Sequence, residues 1–320
     1  MHFRKTIIHK KRMASKEFMK FVINADDFGY CDERNRGIID CFLHKKSITS
    51  ASLLVNGQAA ESAVAQAKKY NLPLGLHMNV TEGKPICPAT LQTSLTDDTG
   101  SFHDKMSFIT LLESGSINMP DLKREMVAQI ELFIKLTGVC PVHVDGHQHV
   151  HILPGVNQVF AEAVTSYGVN YTRLPYEIGL HDCDWFVSPS CLAFNEACIE
   201  NAAASRKIFN QFKLRHAEYF TGLMTLGSCM TVGRLQKKLN DIVSMATKNF
   251  ASCDKNQVTC ELMVHPGYPA ISSDAGCGDG PDTFAMSVER EHEMRILRSD
   301  DMFEFYDNNG IILCSFTDFS

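Results

Sequence analysis

Phe21-Val22-Ile23-Asn24-Ala25-Asp26-Asp27-Phe28-Gly29 begins as a short buried strand over residues 21–25 and ends on two carboxylates and a glycine. Side chains on a regular strand alternate between faces. Adjacent aspartates therefore serve one site only if the strand has ended and the backbone turns, which Gly29 permits. A plain turn, or a cap for the segment after Cys31, would use the same pair. Downstream the apolar period changes: Ile38, Ile39, Phe42 and Leu43 share one helical face within residues 34–46. A strand over 50–55, an alanine-rich helix over 59–70 and a strand over 74–80 follow, then a loop with Gly83, Pro85 and Pro88. The alternation continues with a helix over 122–136 stopped by Gly138, a strand over 141–147, a helix over 154–167 capped by Gly168, and a strand over 170–174 ended by Pro175. Residues 176–189 show no period and read as an excursion. Helices over 192–212, 235–247 and 289–297 and strands over 219–225, 259–265 and 311–316 complete the pattern. Strands alternating with helices indicate an α/β chain built on a parallel sheet. About eight βα-like repeats suit a closed (β/α) barrel, with a doubly wound open sheet as the alternative. No Pro/Gly/Ser linker divides the chain, so residues 21–320 read as one domain behind a basic tail over 1–20.

The formal net charge of −6 disfavours nucleic acid and anionic surfaces as partners. No apolar run approaches the roughly 20 residues of a membrane span. The 12 cysteines include no C-x-x-C pair, and several, such as Cys41 and Cys314, sit in apolar runs. They read as reduced, mostly buried thiols of a cytoplasmic protein. The tail carries Lys5, Lys10, Lys11, Arg12, Lys16 and Lys20. It reads as disordered, with a transit peptide as the alternative.

The stretch from His143 to His151 carries four of the 13 histidines in nine residues. His143, Asp145, His147, His149 and His151 recur with period two, so an extended chain would present them on one face. Imidazoles with a carboxylate suit a divalent ion; an exposed polar strand face is the plainer alternative. His77 lies near the end of the third strand. Asp27, His77 and His147 would then meet where strands finish, the active-site face of a (β/α) barrel. His265, in His265-Pro266-Gly267-Tyr268-Pro269, would join that rim as an acid–base group, or simply cap a helix. The run Gly276-Cys277-Gly278-Asp279-Gly280-Pro281-Asp282 lacks a phosphate-loop lysine and reads as a rim loop. Tyr176, Trp185 and Tyr268 are candidates for stacking on a sugar.

Taken together, Asn24-Ala25-Asp26-Asp27-Phe28-Gly29, Leu54-Val55-Asn56-Gly57, Gly75-Leu76-His77, Gly83-Lys84-Pro85, His143 to His151 and His265-Pro266 resemble the YdjC (ChbG-like) family of carbohydrate deacetylases, above all its animal members. The resemblance implies an irregular (β/α) barrel of the glycoside hydrolase/deacetylase type with about seven to eight strands. It implies a divalent metal, magnesium in the family, held by Asp27, His77 and His147. It makes Asp26 the general base, and His265 is the candidate acid. Two imidazoles and a carboxylate also suit zinc. Family members in bacteria often carry three successive histidines where this chain has His147-Gln148-His149, which bears on substrate preference. The expected partner is an acetylated oligosaccharide, with no nucleic acid and no membrane; a homodimer is allowed. The alternatives are hydrolysis of another amide or of a phosphoester, and a non-catalytic binding barrel. A glycosidase, with carboxylates about 5–9.5 Å apart, fits poorly.

Overall fold

The computed structural model describes residues 18–185, 188–250, 257–271, 276–277, 280 and 282–319. Most of the expected tail lies outside these residues, but Met19 and Lys20 belong to the first strand. The elements in order are β1 (Met19–Phe28), α1 (Asp32–Leu43), β2 (Ser50–Leu53), α2 (Ala60–Tyr70), β3 (Leu74–Met78), α3 (Lys105–Glu113), α4 (Met119–Thr137) and β4 (Val144–Gly146). Then come α5 (Val156–Ser166), α6 (Pro189–Gln211), β5 (Tyr219–Thr221), α7 (Val232–Phe250), β6 (Val258–Val264), α8 (Glu289–Leu297), α9 (Asp300–Asn308) and β7 (Ile311–Leu313).

The seven strands form one sheet in the order β4-β3-β2-β1-β6-β5, with β7 beside the start of β1. Every pairing is parallel. A parallel sheet is covered on both faces, and β1, at its centre, is buried along nearly its whole length. Beyond β4 the pairing continues through single parallel bridges, Val144 to Thr172 and Tyr171 to Arg215. Arg215 lies just upstream of β5, so the sheet curls back toward its opposite edge. This is the expected α/β architecture, a curled parallel sheet ringed by helices, rather than a flat doubly wound sheet.

Several local expectations change. The strand expected over 170–174 is reduced to those bridges, because its neighbour β4 has only three residues to pair with. The last strand stops at Leu313, and Phe316–Phe319 form a 3-10 turn. Two helices were not foreseen. In α3, the Asp104 carboxylate accepts from the backbone N–H groups of Met106 and Ser107, a standard N-cap. The other is α9, whose buried face includes Met302 and Tyr306.

The aspartate pair is positioned by a device the sequence reading did not foresee. β1 does not end at Ala25. Its register with β2 runs Asn24 to Ser50 and Ala25 to Ala51, then slips to Phe28 opposite Leu53. One extra residue is thus inserted on β1, a β-bulge. Asp27 takes a left-handed backbone, φ 61°, so consecutive aspartates leave the alternation and share a site. Gly29 follows with φ 97°, and a Cβ there would lie 2.9 Å from the Leu54 carbonyl oxygen. Only glycine turns the chain so tightly there.

Candidate metal centre

His77, one residue before the end of β3, is the register partner of Asp145 on β4. Lateral partners in a parallel sheet project the same way. His77 Nδ1 accordingly lies 2.7 Å from Asp145 Oδ1. The ring's other nitrogen, Nε2, faces Asp27 Oδ1 at 3.4 Å. His147 repeats the arrangement with its nitrogens reversed. Its Nε2 is 3.0 Å from Glu82 Oε2, and its Nδ1 is 3.2 Å from Asp27 Oδ1. Asp27 Oδ1 is buried without a hydrogen bond, while Oδ2 accepts from Arg34 Nη1 at 2.9 Å.

One donor atom from each of Asp27, His77 and His147 lies within 4.8 Å of the other two, a set able to hold a metal ion. A second grouping, Asp26, His77 and Asp145, meets the same distance test. Its oxygens are already engaged. Both Asp26 oxygens accept from Arg173, at 2.6 and 2.7 Å, and Asp145 Oδ2 accepts from Ser52 Oγ at 2.8 Å. The first set fits a cation better. It offers an orphaned carboxylate oxygen and two imidazoles, each fixed by a carboxylate on its far nitrogen, the usual outer support of a metal-bound histidine.

The electrostatics follow from burial and these partners. Burial alone would lower the pKa of both histidines, but Asp145 and Asp26 raise His77 to about 10, and Asp27 and Glu82 raise His147 to about 9. Burial would raise Asp27, yet its histidine and arginine partners hold it well below the usual carboxylate range. Protons on the two imidazoles offset the carboxylates of the cluster, and a cation bound there would take their place.

His265 follows β6. Its Nε2 is 3.8 Å from Asp26 Oδ2, and its Nδ1 is buried without a partner. Burial, helped by Arg290, pushes its pKa down to about 3, so it is a neutral imidazole near pH 7. Asp26, Asp27, His77, His147, His265 and Arg290 all line one cavity of about 270 Å³. The structure thus brings together the five residues, Asp26, Asp27, His77, His147 and His265, that were expected to bind the metal or act as acid and base.

The period-two face does not persist. The extended backbone stops at Gly146, and His147–Ile152 form a 3-10 segment in which Gln148 and His149 have φ 52° and 61°. His143 and Asp145 point inward as expected. His149 turns to the pocket wall, and His151 is buried with Nε2 3.1 Å from the Arg173 carbonyl oxygen. None of the three proposed stacking residues lines this pocket. Trp185 Nε1 donates to the Met224 carbonyl, Tyr268 donates to Asp40, and Tyr176 lies under Arg206. Phe194 and Phe284 are the pocket's aromatic residues. Asp282 reaches the pocket, as a rim loop should; Gly278, Asp279 and Pro281 lie outside the described residues.

Sequence reading missed Arg173, the pivot of the interior. It binds Asp26, approaches Asp145 Oδ2 at 3.0 Å and donates through Nε to Glu261 at 2.7 Å. It also missed Glu82, Arg34 and Arg290. A lone arginine in Tyr171-Thr172-Arg173-Leu174 has no period to betray it, though a buried cation must find carboxylates.

The chain matches the family described as YdjC-like protein over residues 20–308. The chain belongs to the YdjC-like family. A carbohydrate deacetylase of Xenopus laevis is 41% identical over 303 residues, covering 94% of this chain and 98% of that protein. A chitooligosaccharide deacetylase of Yersinia enterocolitica is 36% identical over 137 residues, 42% of this chain and 51% of that protein. A crystal structure from Enterococcus faecalis, named for cellobiose-phosphate cleavage, superposes with TM-score 0.70 at 22% identity, covering 95% of this chain and 99% of that one. It shows that the YdjC-like fold is shared. Among the described residues no helix is long and apolar enough to cross a membrane.

Proposed function

We propose that this chain is a metal-dependent hydrolase that removes acetyl groups from N-acetylated carbohydrates, with residues 21–320 acting as one domain. The observation that carries the reading is the open set Asp27, His77 and His147, each imidazole backed by a carboxylate, beside Asp26 in one cavity. The names of the Xenopus and Yersinia relatives support the substrate class. Buried thiols such as Cys41 and Cys260 suit a reducing compartment, the cytoplasm.

Asp27, His77 and His147 would hold the ion. A divalent ion supplies a Lewis acid for the acetyl carbonyl and lowers the pKa of a water. Family resemblance favours magnesium, while two imidazole donors favour zinc. Asp26 takes the proton from the attacking water. Arg173 grips both its oxygens and so fixes the carboxylate's orientation, leaving each oxygen a further lone pair. His265, 3.8 Å from Asp26, would carry that proton to the departing amine in one concerted transfer, since an imidazole held near pKa 3 does not keep a proton taken from a carboxylic acid. The C–N bond then breaks with its electron pair on the amine nitrogen, and acetate leaves. A two-metal phosphoester mechanism draws no support, since Arg173 already engages the second carboxylate set.

The test is acetate release from N-acetylated chito-oligosaccharides, with metal content read alongside. Chelator-sensitive release is expected. Asp26→Asn should keep its metal and lose roughly 10²–10⁴-fold in rate, while His147→Ala should lose the metal itself. A stoichiometric metal with no acetate release from any chito-oligosaccharide would overturn the substrate assignment.

A further inference from the structure

A second cavity, of about 330 Å³, adjoins the metal-site pocket. The two share Lys105, Gln148, His149 and Phe194 as a common wall. The annex is built differently. Phe108, Ile109, Leu112, Ile152, Leu153 and Pro154 form its sides. Beyond the shared wall its polar lining is Thr81, whose Oγ1 is buried without a partner, Asn201, and the carboxylates of Glu113 and Glu200 at exposed positions.

Those few polar groups cannot satisfy all the hydroxyls of an enclosed sugar ring, and each one left without a partner would carry a desolvation penalty. A hydrocarbon chain needs none. The shared wall, by contrast, is polar at defined points. His149 Nδ1 and Gln148 Oε1 are buried without hydrogen-bond partners. Both residues hold left-handed backbones, which break the period-two face and turn them to this wall. Strain of that kind in consecutive non-glycine residues clusters at functional sites. Phe194 sits between them and Lys105: its ring is stacked 6.3 Å from His149, and Lys105 Nζ lies 3.3 Å from its centroid. The sequence from pocket to annex is therefore metal ligands, unpaired polar atoms, then an apolar chamber. An amphiphile meets both ends of that order: its amide lies at the metal ligands and its chain reaches the chamber. An acetyl methyl would leave the annex unused.

We propose that the annex binds an unbranched hydrocarbon chain carried by the amino-sugar substrate. The inference rests on the amide-hydrolase reading above. The chain has two sources, an N-acyl group longer than acetyl or an alkyl group on the anomeric oxygen. In the first case the same hydrolysis applies: the amide C–N bond breaks, the water oxygen ends in the released carboxylate, and the amine takes the proton.

Calorimetric binding to the metal-loaded protein tests this with two ligand pairs, N-hexanoyl- against N-acetylglucosamine, and hexyl against methyl β-glycosides of N-acetylglucosamine. One pair should show at least a tenfold gain for the longer member, since each buried methylene is worth up to roughly fourfold. That pair identifies the source. Ala197 lines the annex from an exposed position on α6, so Ala197→Trp fills the chamber without disturbing the core. It should abolish the gain and leave the short ligand's affinity unchanged; Ile109→Asn should weaken the gain. Equal affinities within both pairs, or a gain that survives Ala197→Trp, overturn the annex. Acetate release from the short members is scored separately. Hydrolysis without chain preference keeps the reaction and rejects the annex, whereas chain preference without hydrolysis does the reverse.

Discussion

Asp145 does not line the site pocket, yet it decides which nitrogen of His77 faces it. Asp145→Asn keeps the shape and removes the carboxylate that fixes the ring. Metal affinity should fall about 10–100-fold, as read by competition with a chelator, while the fold survives. An unchanged affinity would mean that Asp145 serves Arg173 and not the metal. His265 carries a second prediction. Its folded pKa of about 3 lies below the ordinary histidine value of 6.5, so the folded state binds fewer protons than the unfolded one. The stability tied to this residue is complete above pH 6.5 and drains away as pH falls toward 3. His265→Gln should therefore lose less urea resistance between pH 7 and pH 4.5 than the parent chain. Equal losses would show that the imidazole is not held neutral. These residues were unequally legible. Asp26, Asp27, His77, His147 and His265 stood out because each ends a strand-like run. Glu82 did not, because one glutamate in a loop looks like any solvated charge.

At the level of elements, β3 and β4 are joined by more than backbone pairing. The His143 ring lies against Gly75, so a Cβ on Gly75 would fall 2.2 Å from the ring. That ring stacks on Phe316 with centroids 4.0 Å apart, and its Nε2 is 3.0 Å from Ser52 Oγ. Gly75→Ala must push His143 away from Ser52, which in turn supports Asp145. We expect a loss of about 1–3 kcal/mol in denaturant unfolding, the cost of overpacking, together with weaker metal binding. Loss of stability alone would uncouple the packing from the site. The element pattern was readable where apolar runs are long and periodic, as in β1, β6 and α4. It failed over 170–174, where a mixed segment meets a three-residue neighbour through single bridges and forms no ladder. It also failed after Gly146, because two left-handed residues cannot be seen in a periodic row of histidines.

The whole molecule closes around Arg173. Its guanidinium ties Asp26 on β1, Asp145 on β4 and Glu261 on β6, which come from both sides of the central strand. Burial keeps Glu261 raised to about 7 despite this partner. Arg173→Met would strand three carboxylates in the interior, a loss of about 3–5 kcal/mol. Without the guanidinium, burial disfavours the charged carboxylates, so the deficit should shrink as pH falls and they take up protons. Urea unfolding at pH 7 and pH 5 checks both the loss and its direction; a deficit equal at both values would locate the damage in packing. The barrel was expected from the repeats, but nothing in the sequence announced this ring of charges, which is drawn from distant strands and exists only after the sheet has curled.

The slip in register at Asp26–Asp27 has a consequence for anyone transplanting the site. Copying two aspartates onto adjacent positions of another parallel barrel would send one carboxylate inward and the other under the helices. The portable unit is a length change: the graft must lengthen the host strand by one residue, and the glycine that ends the bulge must travel with it.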